Sequence, residues 1–367
     1  MKPRTKRLLN LLLIVGTLAI VLIIGLRDND LPQTIRHLTG IRLYCTILCL
    51  LCWMLYNFCD AFSVWCFLRR REVDIPILYC YFASIVGAFY CNVTPGATGG
   101  QPMQIYYLHK RGAPTGLATS SLIGHFFCYQ VALIVLGGLL WATHPHFVAE
   151  HVGDWMWAMV ALFIYNVLVC GVLITVSIYQ PAVHWLLRTV IRIGVKLRLV
   201  KHPEETMKKW TETGNAFHRS LVEMFHNPAE MALQLLIAAV QIVTLMSIIW
   251  FVYIGMQLPY DRASYPQILT LSSLEYITAA NTPLPGASGV HELAFTSYFD
   301  EFFREGTFAA LLLWRFFTFY ITLIIGSIAV IINGLLSGKS LHEVANLEEE
   351  IQEEGEKLLA GEEDSDP

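Results

Sequence analysis

Long apolar stretches divide this chain, and they leave it few folds. Six of them are Leu8–Leu26, Ile41–Leu68, Leu117–Trp141, Trp155–Tyr179, Glu230–Gly255 and Thr307–Leu336. A helix needs about 20 apolar residues to cross a bilayer. Of the 367 residues, 55% are hydrophobic and 15% are charged. A soluble domain carries nearer to about a quarter charged residues. The chain therefore reads as an integral membrane protein. Lipid cannot satisfy a bare backbone, and runs of this length do so as helices. The expected class is an all-α polytopic membrane protein. No small-residue cleavage site follows Leu8–Leu26 in "LRDND", so that stretch reads as a retained helix, not a signal peptide.

Two further apolar stretches, 75–108 and 266–303, are interrupted by helix breakers. The first carries "PGATGGQP" (Pro95–Pro102) and the second "PGASGVHE" (Pro285–Glu292). Pro95, Gly96, Ala97, Thr98 and Gly99 align with Pro285, Gly286, Ala287, Ser288 and Gly289 at an offset of 190. The same offset maps 41–68 onto 231–258 and 117–141 onto 307–331.

Lys and Arg fall in alternate loops. They crowd residues 1–7, 69–74, 109–114 and 180–229 and are sparse in 27–40, 142–154 and 256–265. The positive-inside rule puts the first group, both termini and the acidic tail 341–367 in the cytoplasm. Segment 75–108 then enters and leaves by one face, and 266–303 by the other. Each fits two half-membrane helices joined at a turn. The expectation is two re-entrant hairpins and two inverted repeats, 8–141 and 155–336, each with three spanning helices and one hairpin. Such repeats with broken helices mark secondary transporters. The membrane domain would cover 1–340. Residues 181–200 within loop 180–229 mix Trp, Leu and Ile with Arg and Lys, as in a helix lying on an anionic leaflet. The tail shows no fold signal and reads as disordered or a short helix.

Ionisable residues inside a membrane are costly and usually face the protein interior. Glu292, His291 and Arg315 are the strongest candidates. The repeat offset sets Arg315 on His125, giving each repeat one basic or protonatable group after its hairpin. Half-helix N-termini present free N–H groups and a favourable dipole to a phosphate. Thr98 and Gln101 have capping-box spacing, so a half-helix is expected to start there. Thr98, Gly99, Gly100, Gln101, Ser288 and Gly289 are thus candidate substrate-binding positions. A guanidinium at Arg315 suits phosphate, and Glu292 would balance it or exchange a proton. A purely structural Glu292–Arg315 pair is the competing reading. Glu275, Asp60 and Asn57 are secondary candidates, the last two also able to snorkel or cap near their helix end.

Cys45, Cys49, Cys52, Cys59 and Cys66 form one helical stripe among nine cysteines. Packing a helix face explains them better than a metal, and no disulfide is expected. His144, His146 and His151, with Glu150 and Asp154, read as a solvated outside loop. "GLLSGKS" at 334–340 has one residue too few between glycines for a P-loop and follows a helix. No catalytic residue, cofactor, metal or nucleic-acid partner is expected.

"TPGATGGQPMQIYYL", "PLPGASGVHE" and "LLLWRFFTFYITLIIG" resemble the lysylphosphatidylglycerol synthase transmembrane family, whose flippase-like domains occur alone or fused to an aminoacyl-phospholipid synthase. The resemblance covers most of 8–336. It implies a multi-pass protein of the bacterial cytoplasmic membrane acting on a phospholipid or lipid-linked substrate. Many members carry Arg before the motif Glu where this chain has His291, so headgroup preference is open. The tail after Leu336 is too short for the synthase module, and the label phosphatidylglycerol lysyltransferase would overstate the chain. The reading is lipid translocation between leaflets through a midplane cavity. The alternatives are membrane participation in phospholipid modification, or a non-transporting partner subunit of a lipid-modifying enzyme.

Overall fold

A computed structural model describes residues 31–153, 156–178, 218–219, 222–279, 282 and 284–336. The expected helix 8–26, the surface helix 181–200 and the tail 341–367 lie outside these residues. Among the described residues there is no strand. The helices are α1 (Leu31–Thr39), α2 (Leu43–Arg70), α3 (Ile77–Val93), α4 (Gly100–Lys110), α5 (Thr115–Thr143) and α6 (Pro145–Val152). Then come α7 (Met156–Ile178), α8 (Pro228–Gly255), α9 (Ser264–Ala279), α10 (Val290–Phe303), α11 (Thr307–Arg315) and α12 (Ile321–Leu336). A five-residue π segment, Phe316–Tyr320, joins the last two.

Four helical segments are long and apolar enough to cross a membrane, or five if the bent pair α6–α7 counts as one span. The protein is an all-α, multi-pass membrane protein. The outer face of α2 carries exposed Leu43, Ile47, Leu51, Met54, Leu55 and Phe58, a surface suited to lipid. The cysteine stripe turns the other way: Cys45, Cys49, Cys59 and Cys66 are buried, and all the described cysteines are free. Cys49 packs at the Ile248 carbonyl of α8, because α2 and α8 make the most extensive helix pairing among the described residues.

That pair is the axis. One apolar core lies beneath the first interrupted stretch and includes Val86, Tyr90, Met103, Tyr107 and Ile242. The other lies beneath the second and includes Leu271, Leu274, Phe295, Phe299 and Trp314. Each interrupted stretch is a helical hairpin: α3 packs on α4, and α9 on α10.

Two expected loops contain helix. Residues 31–39 form α1, which packs against α11, and 145–152 form α6, which packs against α10. Both are too short and polar to register as apolar runs. Start signals are local. Asp261 Oδ1 accepts from the Ser264 hydroxyl (2.7 Å) and the Ser264 and Ala263 N–H groups at the head of α9. The Ser264 hydroxyl, then the N–H groups, hold the Asp261 carboxyl below the ordinary carboxylate range.

The arginine cluster at the end of α2 is more than a topology signal. Arg71 lies over the Phe67 ring at 3.7 Å and reaches Glu230 Oε1 at 2.9 Å. The Arg71 and Glu230 side chains keep only 7% and 4% of their exposure. The pair ties the end of α2 to the first turn of α8, where Asn227 caps the Glu230 N–H. Removing one member of a buried pair costs about 3–5 kcal/mol. Glu230→Ala should therefore lower the thermal midpoint of the detergent-solubilised protein clearly. A change below about 1 kcal/mol would mean that water already screens the pair.

Candidate functional site

The two breakers fold into the same turn. Gly96 has φ 62°, ψ 23° and Gly286 has φ 57°, ψ 22°. The alanines that follow, Ala97 and Ala287, are also left-handed, at φ 56° and 48°. A left-handed alanine costs roughly 1–2 kcal/mol, and strain of this kind gathers at functional sites. Here it occurs twice, and the two tips touch each other. Residues almost 200 positions apart in the chain thus meet.

At the second tip, Arg315 Nε lies 2.7 Å from Glu292 Oε1, with both side chains largely buried. Arg315 Nη2 donates to the Gly286 carbonyl (3.3 Å) and to Ser288 Oγ (3.2 Å). Its guanidinium stands 4.6 Å from the centre of the Phe319 ring. The other Glu292 oxygen accepts the Gly289 N–H, reaching back across the first turn of α10. One carboxylate thus caps a half-helix and neutralises an arginine. Beside it, His291 Nδ1 contacts Glu275 Oε1, and the imidazole packs edge-on to Tyr276 and Trp314.

The first tip is arranged differently. α4 begins at Gly100 with Gly99 at the N-cap, one residue later than the Thr98–Gln101 spacing suggests. The left-handed Gly96–Ala97 pair postpones the helix. Thr94 Oγ1 accepts the Gly99 N–H at 2.9 Å. Thr98 and Gln101 are exposed, Gly99 and Gly100 buried.

His125 does point inward, as the offset with Arg315 suggests. Its partner is Asp60 of α2, with His125 Nε2 3.2 Å from Oδ1. Asp60 Oδ2 accepts from Ser84 and from Gln104 Nε2. Asp60 therefore neither snorkels nor caps; three helices supply donors to it. Asn57 is not part of this cluster; it is buried and donates to the Trp53 carbonyl at 2.9 Å, bonding within its own helix. Position 102, which matches Glu292 at the repeat offset, is Pro102. The acid of the first half thus comes from a spanning helix and that of the second from a hairpin. Ser84 and Gln104 gave no signal in the sequence beyond being polar within apolar runs. The histidines of α6 form no metal cluster among the described residues; His151 Nε2 pairs with Glu301 at 3.3 Å.

A family model described as the lysylphosphatidylglycerol synthase TM region matches residues 8–326. The chain belongs to that family. The match spans both hairpins, Asp60, His125 and the Glu292–Arg315 pair. None of the curated proteins matches the chain. The family places this multi-pass membrane protein in a lipid-related setting and names no substrate for this chain.

Proposed function

We propose that this protein moves a phospholipid or lipid-linked headgroup between the leaflets of a bacterial cytoplasmic membrane. The observation that carries the reading is Arg315, buried at the second of two touching hairpin tips and held there by Glu292, Gly286 and Ser288. Non-helical backbone at membrane depth is tolerated only inside protein or along a polar cavity. Two tips there, with half-helix N-termini and a guanidinium, suit a phosphate. In this reading the hairpins are re-entrant from opposite faces. The domain runs over 1–340 as inverted repeats 8–141 and 155–336, with the termini cytoplasmic. His291, His125, Thr98, Gly99, Gly100, Gln101, Ser288 and Gly289 line the route, with Glu275 and Asp60 behind them.

The direct test is reconstitution into vesicles containing an acyl-labelled phosphatidylglycerol whose outer-leaflet pool is bleached. The purified protein should let the protected pool decay. Vesicles that keep it as protein-free vesicles do would refute translocation of that lipid.

The topology is tested separately. Glu72, Gly112, Glu150 and Arg262 are all exposed. Single cysteines at 72 and 112 in a Cys-free background should label from the cytoplasm, and those at 150 and 262 from outside. Labelling of 72 and 112 from opposite faces would make 75–108 a crossing and end the re-entrant arrangement.

A further inference from the structure

Glu275 is fully buried, at 0% exposure, and its Oε2 has no hydrogen-bond partner. Only Oε1 is engaged, by His291 Nδ1. A buried carboxylate oxygen left bare keeps its full desolvation penalty. A proton on Oε2 would remove the charge that makes it costly. Asp60, partly exposed, and buried His125 form a second acid–histidine pair in the other half of the molecule.

Tyr56 of α2, Tyr129 of α5 and Tyr276 of α9 lie within electrostatic reach of one another, Tyr56 also of Asp60 and Tyr276 also of Glu275. Around the Glu275–His291 pair, the other charged or titratable groups are Tyr276 on α9, Tyr298 and Glu292 on α10, and Arg315 on α11. Tyr129 faces it from α5 through Tyr276. His151 of α6, the other helix on this side, is taken by Glu301. α7 presents Asn166, whose amide donates to the Ile277 carbonyl.

We propose that Glu275–His291 is a proton-binding site that couples headgroup movement to a proton gradient. The inference rests on the translocation reading above. Its logic is a charge count. Arg315 and Glu292 together are neutral, and Glu275 with a shared proton on His291 is neutral. An anionic headgroup at Arg315 then leaves one uncompensated negative charge in a poorly solvated site, which is costly. One further proton, on Glu275 Oε2 beside the imidazolium, restores neutrality. Headgroup and proton therefore load together. By linkage, headgroup affinity falls up to about tenfold per unit rise in pH over the range in which that proton is taken up.

The test uses the full chain in phosphatidylglycerol–phosphatidylethanolamine vesicles holding a trapped pH dye, with an imposed pH difference. Lipid movement should be faster with one sign of the gradient than the other and should change the internal pH. Glu275→Gln and His291→Gln should remove the gradient response. Infrared titration of the solubilised protein, from about pH 5 to 8, should show a carboxylic-acid C=O band that Glu275→Gln lacks and that phosphatidylglycerol shifts. Wild-type lipid movement that ignores the gradient and leaves the dye unchanged would overturn the coupling while translocation stands. No lipid movement by the wild type would remove the translocation reading and this one with it. Should neither variant fold, the wild-type dye signal decides.

Discussion

Arg315→Ala is expected to reduce lipid translocation by about tenfold to a hundredfold or more. A hydrogen bond to a charged group is worth about 1.5–3 kcal/mol, and each 1.4 kcal/mol is a factor of about ten. The same change leaves Glu292 buried with its charge uncompensated, which costs about 3–5 kcal/mol. Lost activity could then be only lost fold. Arg315→Met combined with Glu292→Gln separates the two effects, since no charge of the pair stays behind. It should recover folded yield relative to Arg315→Ala and still fail to transport. Full transport by a well-folded double variant would reduce the pair to a strut between α10 and α11. Arg315→Lys adds a graded point: charge survives, but the planar fork that reaches Glu292, Gly286 and Ser288 does not. Its rate should fall between wild type and alanine.

Gly289→Leu should block translocation with the protein still inserted. A Cβ built at Gly289 meets nothing within 4 Å, so a side chain there projects into open space beside Glu292. The backbone is left-handed, at φ +93°, so any side chain adds strain of roughly 1–2 kcal/mol. Gly289→Ala carries that strain with little bulk and should keep most of the transport. A leucine as active as alanine would show that the open space is not the route. Gly99 asks a different question. A Cβ there would come within 2.6 Å of Thr94 Cγ2, against the threonine that caps Gly99 itself. Even Gly99→Ala should disturb the first tip, and it reports on folding more than on the passage.

Much of this architecture was legible because hydropathy acts over whole helices. The stretches read at 41–68, 117–141, 155–179 and 230–255 appear as helices 43–70, 115–143, 156–178 and 228–255. The breaker tips were equally readable, since Pro and Gly forbid a continuous helix and the repeated "PGA" announces one turn used twice. His125 and Arg315 were matched by register alone, and both face acids. Glu292 was legible as the acid of Arg315, but the acid of His125 was harder to assign. Asp60 meets His125, Ser84 and Gln104 only after α2, α3, α4 and α5 have packed, and nothing local in the sequence encodes that convergence. The cap at Thr98 was misplaced by one residue for a local reason. Two left-handed residues in the turn delay the helix, and spacing rules take no account of them. Arg71 scored as a topology charge because its burial against Glu230 depends on a residue 159 positions away.

The π segment between α11 and α12 has a consequence for how the last span operates. Its lower half, α12, grips the first hairpin through contact with α3, while α11 packs on α8 and carries Arg315. Each residue of an α-helix advances about 100° around the axis, so two grips set independently would seldom agree in phase. The wider turn at Phe316–Tyr320 takes up the mismatch by shifting the phase of one half against the other. Arg315 thereby faces the second tip at an angle that an unbroken α-helix holding the first hairpin through the same α12 face would not give it.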